Sequence, residues 1–318
     1  TLTEDEVMAH LEGRLELPPS REYLRKEVDN ILKGCNLIQN RLSAGASAEI
    51  SFEEICEYNR IVLEGLTLEE HIIPGKVRTY SVGVPGYKGA PAKDCEFLLA
   101  KLCDWLNSST FSDSISPLAL AILKSIIAHL YIAWIHPFGD GNGRAARMLE
   151  LKILLSSGVP APASHLLSDH YNLTRAEYYR QLVVSSKSGG NVMPFIKYAL
   201  QGFVDELKNQ IDEIRKQHFE VAWHDYVHDQ FREKTGTVNE RRRRVVLDLS
   251  KIKEPVHLTK IPELSPRLAK FYSGKTLITI RRDIKELVRM GLVKWDHAGI
   301  SANSSSVLSF LPFRKNND

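Results

Sequence analysis

The chain has 318 residues, 43% of them hydrophobic and 25% charged, the balance of a soluble globular protein with chain enough for two or three cores. Forty-two basic against 39 acidic side chains leave a net charge of +3, too small to make nucleic acid or a membrane the global partner. Cys35, Cys56, Cys95 and Cys103 show no CxxC spacing, so they read as small buried hydrophobes in a reducing cytosol rather than as a metal or redox motif.

The amino-terminal run TLTEDEVMAH is polar and acidic, unlike a signal peptide. Residues 1–70 read as amphipathic helices; Tyr23, Leu24, Val28, Ile31 and Leu32, for example, share one stripe. From Pro74 the segment PGKVRTYSVGVPGYKGAPAKD, rich in Gly, Pro and β-branched residues, predicts a short hairpin. Helical patterning returns over Cys95–Leu106 and Pro117–Ile135. The latter is apolar but broken by Lys124, Ser125 and His129, which favours a buried helix over a membrane span.

The loop HPFGDGNG then leads into RAARMLELKILLSSG, and further helices are expected over Arg175–Ser185 and Val192–Gln217. Beyond Phe219 the character changes. A basic run, Arg241–Arg244, opens a helix; a second helix spans about Thr276–Met290, with Ile278, Ile280 and Ile284 assigned to its core, and two β-like runs follow. The fold class expected is mainly α: a helical domain with a β-hairpin flap, then a small α+β winged helix-turn-helix domain. The expected divisions are 1–70, 71–218 and 219–318, in a cytoplasmic protein.

Chemistry concentrates in His136-Pro137-Phe138-Gly139-Asp140-Gly141-Asn142-Gly143-Arg144-Ala145-Ala146-Arg147. Three glycines let the backbone approach a ligand, and the helix that follows offers unpaired N–H groups to an anion. Arg144 and Arg147, three apart, share a face and can hold neighbouring phosphates, although cations in a first turn disfavour the helix itself. Asp140 is a hard oxygen ligand suited to Mg²⁺ bridging phosphates. His136 can take a proton near neutral pH, as a hydroxyl nucleophile requires.

This string resembles the signature of the Fic family, HPFx[DE]GNGRxxR, at every defined position, and the likeness extends over much of residues 1–205. The resemblance implies a helical AMP transferase using ATP and Mg²⁺. His136 would be the base, Asp140 the metal ligand, and Asn142 with the Gly141 and Gly143 backbone the holder of the α/β-phosphates. Arg144 would bind the β-phosphate and Arg147 the γ-phosphate, while Phe138 anchors the loop. The family's flap maps to Thr79–Pro91, with Val84, Pro85, Gly86 and Tyr87 nearest the nucleotide. Tyr178 stands where the family has an aromatic against adenine; Ser186 replaces the usual Asn eight positions on.

The family's inhibitory helix, [ST]xxxE[GN], maps to MAHLEG, with Met8 at the hydroxyl position and Glu12 expected to pair with Arg147. The reaction implied is transfer of AMP to a Ser, Thr or Tyr hydroxyl of a target protein or of the chain itself. Removal of AMP at the same site, or nucleotide sensing by a transcriptional regulator, are the alternatives. Arg241–Arg244, Arg281, Arg282 and Lys285 could face DNA. With Ile278, Ile280 and Ile284 in the core, however, few side chains are left to read bases, so a protein-contact or homodimerising module is preferred.

Overall fold

A computed structural model describes residues 2–84, 86–108 and 115–309. The chain divides into two compact units, residues 1–208 and 209–318. The division falls inside a helix, and residues 1–70 lie in the same unit as the loop at 136–147.

The first unit is helical around one hairpin. Helix α1 (Glu4–Leu11) begins in a capping box, Thr3 accepting from the Glu6 N–H while the Glu6 carboxylate returns the bond. Helix α2 (Glu22–Ser43) buries Leu24, Gly34 and Ile38. Gly34 permits a close crossing, since a Cβ there would stand 2.8 Å from Met148 Sδ. Helix α3 (Phe52–Val62) starts at Ser51, whose hydroxyl accepts from the Glu54 N–H. The hairpin pairs β1 (Gly83–Val84) with β2 (Tyr87–Lys88) antiparallel, Gly83 opposite Lys88 and Val84 opposite Tyr87. Helix α4 (Cys95–Asn107) follows.

At the centre lie α5 (Pro117–Ile135) and α6 (Asn142–Ser156). Pro117 sits at the first helical position of α5, where its missing N–H is not needed, and Ser116 caps the end. Helix α5 is long and apolar enough to cross a bilayer by length and composition. Here it is the middle of the core, with Ile126, Ala128, Leu130 and Ile132 fully buried, each of the larger ones contributing about 1.5–3 kcal/mol. Helices α2 and α3 pack on α6, and α4 packs on α5. Helices α7 (Leu166–Leu173) and α8 (Arg175–Lys187) and the start of α9 (Met193–Gln230) cover the other side with a second cluster around Phe195 and Tyr171. Burial pushes the thiols of Cys35, Cys56 and Cys103 up to about 11, and all four cysteines are free.

The second unit packs the end of α9 with α10 (Thr237–Leu249), α11 (Pro266–Tyr272), α12 (Leu277–Arg289) and an antiparallel pair, β3 (Val293–Trp295) with β4 (Ile300–Ala302). Two expectations fail here. Ile278 is not core but 71% exposed, and Leu277 is 52% exposed, because the buried face of α12 runs through Ile280, Asp283, Ile284 and Leu287. The basic run is also largely consumed within the fold. Arg241 and Arg242 both bind the buried Asp283, and Arg244 binds Asp248, since a buried carboxylate needs cations beside it.

Candidate active site

The site is made where α5 ends and α6 begins. His136 caps α5 with φ +49°, the one left-handed non-glycine among the described residues. That conformation turns the chain out of α5, and Nδ1 comes within 3.4 Å of the Ala133 carbonyl. A proton held on Nδ1 by that oxygen leaves Nε2 as the basic nitrogen. Burial lowers the imidazole below its ordinary value; the Ala133 contact opposes this, the Arg78 charge adds to it, and Asp140 works the other way.

Phe138 is buried and pins the loop to the core. Glycine is required at 139, where a side chain would collide with the Tyr80 hydroxyl, and at 141, where φ is +77°. Helix α6 has no side-chain cap and no acidic residue in its first turn, so the N–H groups of its first turn form an open anion cradle. Asn142 departs from expectation. Its side chain is buried and exchanges two 2.9 Å bonds with the Phe138 backbone, so it braces the loop, and only its main-chain N–H belongs to the cradle.

Arg144 reaches Asp140 at 3.1 Å and Glu27 of α2 at 2.6 Å. Arg147 bends back to the Gly143 carbonyl at 3.1 Å. Arg144 and Asp140 are thus in contact, while Arg147 is tied to the main chain of its own helix. Glu12 is not brought to them. It is exposed, follows α1 and pairs with Arg14, and no Glu12–Arg147 pair forms among the described residues. The exposed Glu12–Arg14 contact contributes little. Glu12→Gly is therefore expected to leave nucleotide affinity within about twofold, checked by titration calorimetry with ATP.

The hairpin stands beside this cradle. Pro85 lies outside the described residues, and Val84 contributes main chain to β1. Gly86 has φ +89° and presses against Val183 of α8, which leaves no room for a side chain. The Tyr87 hydroxyl donates to the Ala133 carbonyl at 2.8 Å. Tyr178 shares a 2.9 Å hydrogen bond with His129 Nε2, while His129 Nδ1 stands 3.0 Å from Glu150 Oε2, off the axis of a well-directed bond. Both His129 and Glu150 are 1% exposed. With Glu150 beside the other ring nitrogen, His129 holds the Tyr178 hydroxyl from behind. Glu150→Gln is expected to raise the KM for nucleotide several-fold while kcat holds, and steady-state kinetics would show it.

Four supporting groups escaped the sequence reading: Asn59, Arg78, Glu27 and the His129–Glu150 pair. The Asn59 amide donates to the Asp140 carbonyl at 2.8 Å and accepts from the Gly75 N–H at 2.9 Å. Asn59, Arg78 and Glu27 meet the 136–147 loop from more than 50 positions away in sequence, whereas His129 and Glu150 lie on either side of it and stand behind Tyr178. His129 alone gave a signal, as a polar residue in an apolar helix.

Comparison with known proteins fits this geometry. Residues 49–154 match the Fic/DOC family. Protein adenylyltransferase fic-1 of Caenorhabditis elegans is 29% identical over 221 residues, covering 67% of this chain and 40% of that protein. Its counterpart in Caenorhabditis briggsae is 31% identical over 198 residues, 62% of this chain and 36% of that one. This chain thus spans less than half the length of these relatives. A Fic family protein from Desulfovibrio desulfuricans G20 shares the fold at TM-score 0.55 and 21% identity, covering 92% of this chain and 76% of its own. A Fic-1 fragment from Caenorhabditis elegans superposes at TM-score 0.53 with 27% identity, over 68% and 60% of the two chains. Residues 49–154, which match the Fic/DOC family, include both the αL turn at His136 and the uncapped start of α6.

Proposed function

We propose that this chain transfers AMP from ATP to a hydroxyl side chain of a target protein, or of itself. The observation that carries the reading is the pairing of a histidine whose Nε2 is left basic with an uncapped helix start flanked by Arg144 and Arg147. The incoming hydroxyl oxygen bonds to the α-phosphorus as its proton passes to His136 Nε2. The bond from that phosphorus to the bridging oxygen breaks, and pyrophosphate leaves. Arg144 and Arg147 would take the negative charge that grows on the leaving group.

No group of three or more His, Cys, Asp or Glu among the described residues can cage a metal. A single carboxylate, Asp140, fits Mg²⁺ only in company with substrate phosphates, the usual manner for that ion. When bound there, Mg²⁺ neutralises phosphate charge. The hairpin β1–β2 offers main-chain edges along which a target segment can lie as an added strand. Incubating the chain with α-labelled ATP in a lysate is expected to label a protein band. Label that persists with His136→Ala would overturn the reading.

A second, separable reading concerns residues 209–318. They hold 21 basic and 14 acidic residues, a net +7, whereas residues 1–208 hold 21 and 25, a net −4. Arg281, Arg282 and Lys285 are exposed on α12, together with Leu277 and Ile278. Helices α10 to α12 with the β3–β4 pair support a winged-helix reading in which the start of α12 enters duplex DNA. Binding to duplex DNA by fluorescence anisotropy is expected at low salt, and its midpoint should weaken steeply as salt rises. No binding at low ionic strength would defeat this reading.

A further inference from the structure

Arg78 is 4% exposed, yet no carboxylate among the described residues pairs with it. A buried guanidinium without an anion is costly unless its donors are all met. Here main-chain oxygens reach all three nitrogens and take up four of the five N–H groups. Nε donates to the His136 carbonyl at 2.7 Å, Nη1 to Tyr80 at 2.6 Å, and Nη2 to Ala90 at 2.6 Å and Ile135 at 3.3 Å. The Arg78 N–H donates to the Pro137 carbonyl at 2.9 Å. Tyr80 precedes β1 and Ala90 follows β2, so one side chain holds both feet of the hairpin and the turn at 135–137.

That turn needs holding. A non-glycine residue at φ +49° costs about 1–3 kcal/mol and persists only where its surroundings over-determine it. The carbonyl of the strained residue is the one that Nε grips.

We propose that Arg78 is a positioning residue for the transfer reaction, clamping the hairpin and the His136 turn into one unit so that the target hydroxyl and the imidazole approach in register. This rests on His136 acting as the base. Lysine cannot replace the arginine, because a point donor cannot span four oxygens set out as a planar fork. Gly89 closes the clamp from outside. A Cβ at that position would stand 3.1 Å from Arg78 Nη2 and 3.1 Å from His136 Cβ. A methyl group there makes the Arg78 guanidinium or the His136 side chain give by a few tenths of an ångström while removing nothing. The charged groups facing the imidazole are Arg78 and Asp140, so loss of the Arg78 charge leaves Asp140 to favour protonation.

The test uses Arg78→Lys, Arg78→Met and Gly89→Ala in the full chain. Arg78→Lys and Gly89→Ala are expected to lower kcat at least about tenfold while the KM for ATP stays within about twofold, since misplacement acts on the reacting geometry. Arg78→Met should in addition move the acid limb of the pH–rate profile upward, which a merely structural role would not do. Wild-type kcat in both Arg78→Lys and Gly89→Ala would overturn the proposal. If Arg78→Met does not fold, those two variants decide.

If the unsubstituted chain transfers no AMP, the base assignment fails, and the clamp is judged without activity. NMR titration of His136 should then show the imidazole titrating at higher pH in Arg78→Met, and Gly89→Ala should shift the Ala90 and His136 amide resonances. Unchanged spectra would sink it.

Discussion

His136→Ala is expected to lower AMP transfer by about 10²–10⁴-fold while leaving ATP affinity within about twofold, because the imidazole moves a proton and holds no phosphate. The cradle for the nucleotide is built from α6 and its arginines, none of which leans on the imidazole. The pH dependence follows from the surroundings of the ring. Burial, aided by Arg78, lowers its pKa from the ordinary 6.5, against the Ala133 oxygen and Asp140. A depressed value means that the neutral, proton-accepting form predominates at pH 7 and persists below 6.5. Transfer should therefore hold up as pH falls from 8 towards 6.5, then drop on the acid side as the ring is charged. A single-turnover pH–rate profile checks both statements. An acid limb well above 6.5, or equal rates in the alanine variant, would remove the histidine from its role.

The loop was legible in the sequence because its chemistry is local. Base, carboxylate, glycines and arginines fall within twelve consecutive residues, and the helices that frame it carry unambiguous apolar patterning. What supports the loop was not legible, because each support is a contact across the chain. Arg78 sits among glycines and prolines where a cation reads as solvated, and only the fold shows it bonded to chain at 135–136. Asn142 was assigned to phosphate from its place in the motif, yet its amide turns inward because Phe138 has a buried N–H and carbonyl that need partners. Glu12 has the spacing of a brake, but spacing does not decide which arginine is nearer, and Arg14 is. In the second unit, helical periodicity alone put Ile278 inside. The buried stripe instead runs through Ile280, Asp283, Ile284 and Leu287, with Asp283 taken into it by Arg241, Arg242 and Tyr272.

Phe138→Ala is expected to destabilise the first unit by about 3–5 kcal/mol, through lost burial and the cavity that remains. The ring is 1% exposed and belongs to the main core cluster, beside residues of α3, α5 and α6. Its neighbours are fixed in helices and can collapse only partly, which puts the cost near the upper end of that range. The substitution also loosens the backbone that Asn142 braces, so the reactive turn loses definition before the fold is lost. Asn142→Ala separates the two effects. It leaves the ring in place but strips partners from the buried Phe138 N–H and carbonyl, a cost of about 1–3 kcal/mol per unsatisfied group. Because both substitutions act on one brace, their effects should fall short of additive in the double variant. Chemical denaturation of the four chains measures this. Strict additivity would mean that the ring and the amide support the loop independently, and that the two residues do not form one anchor.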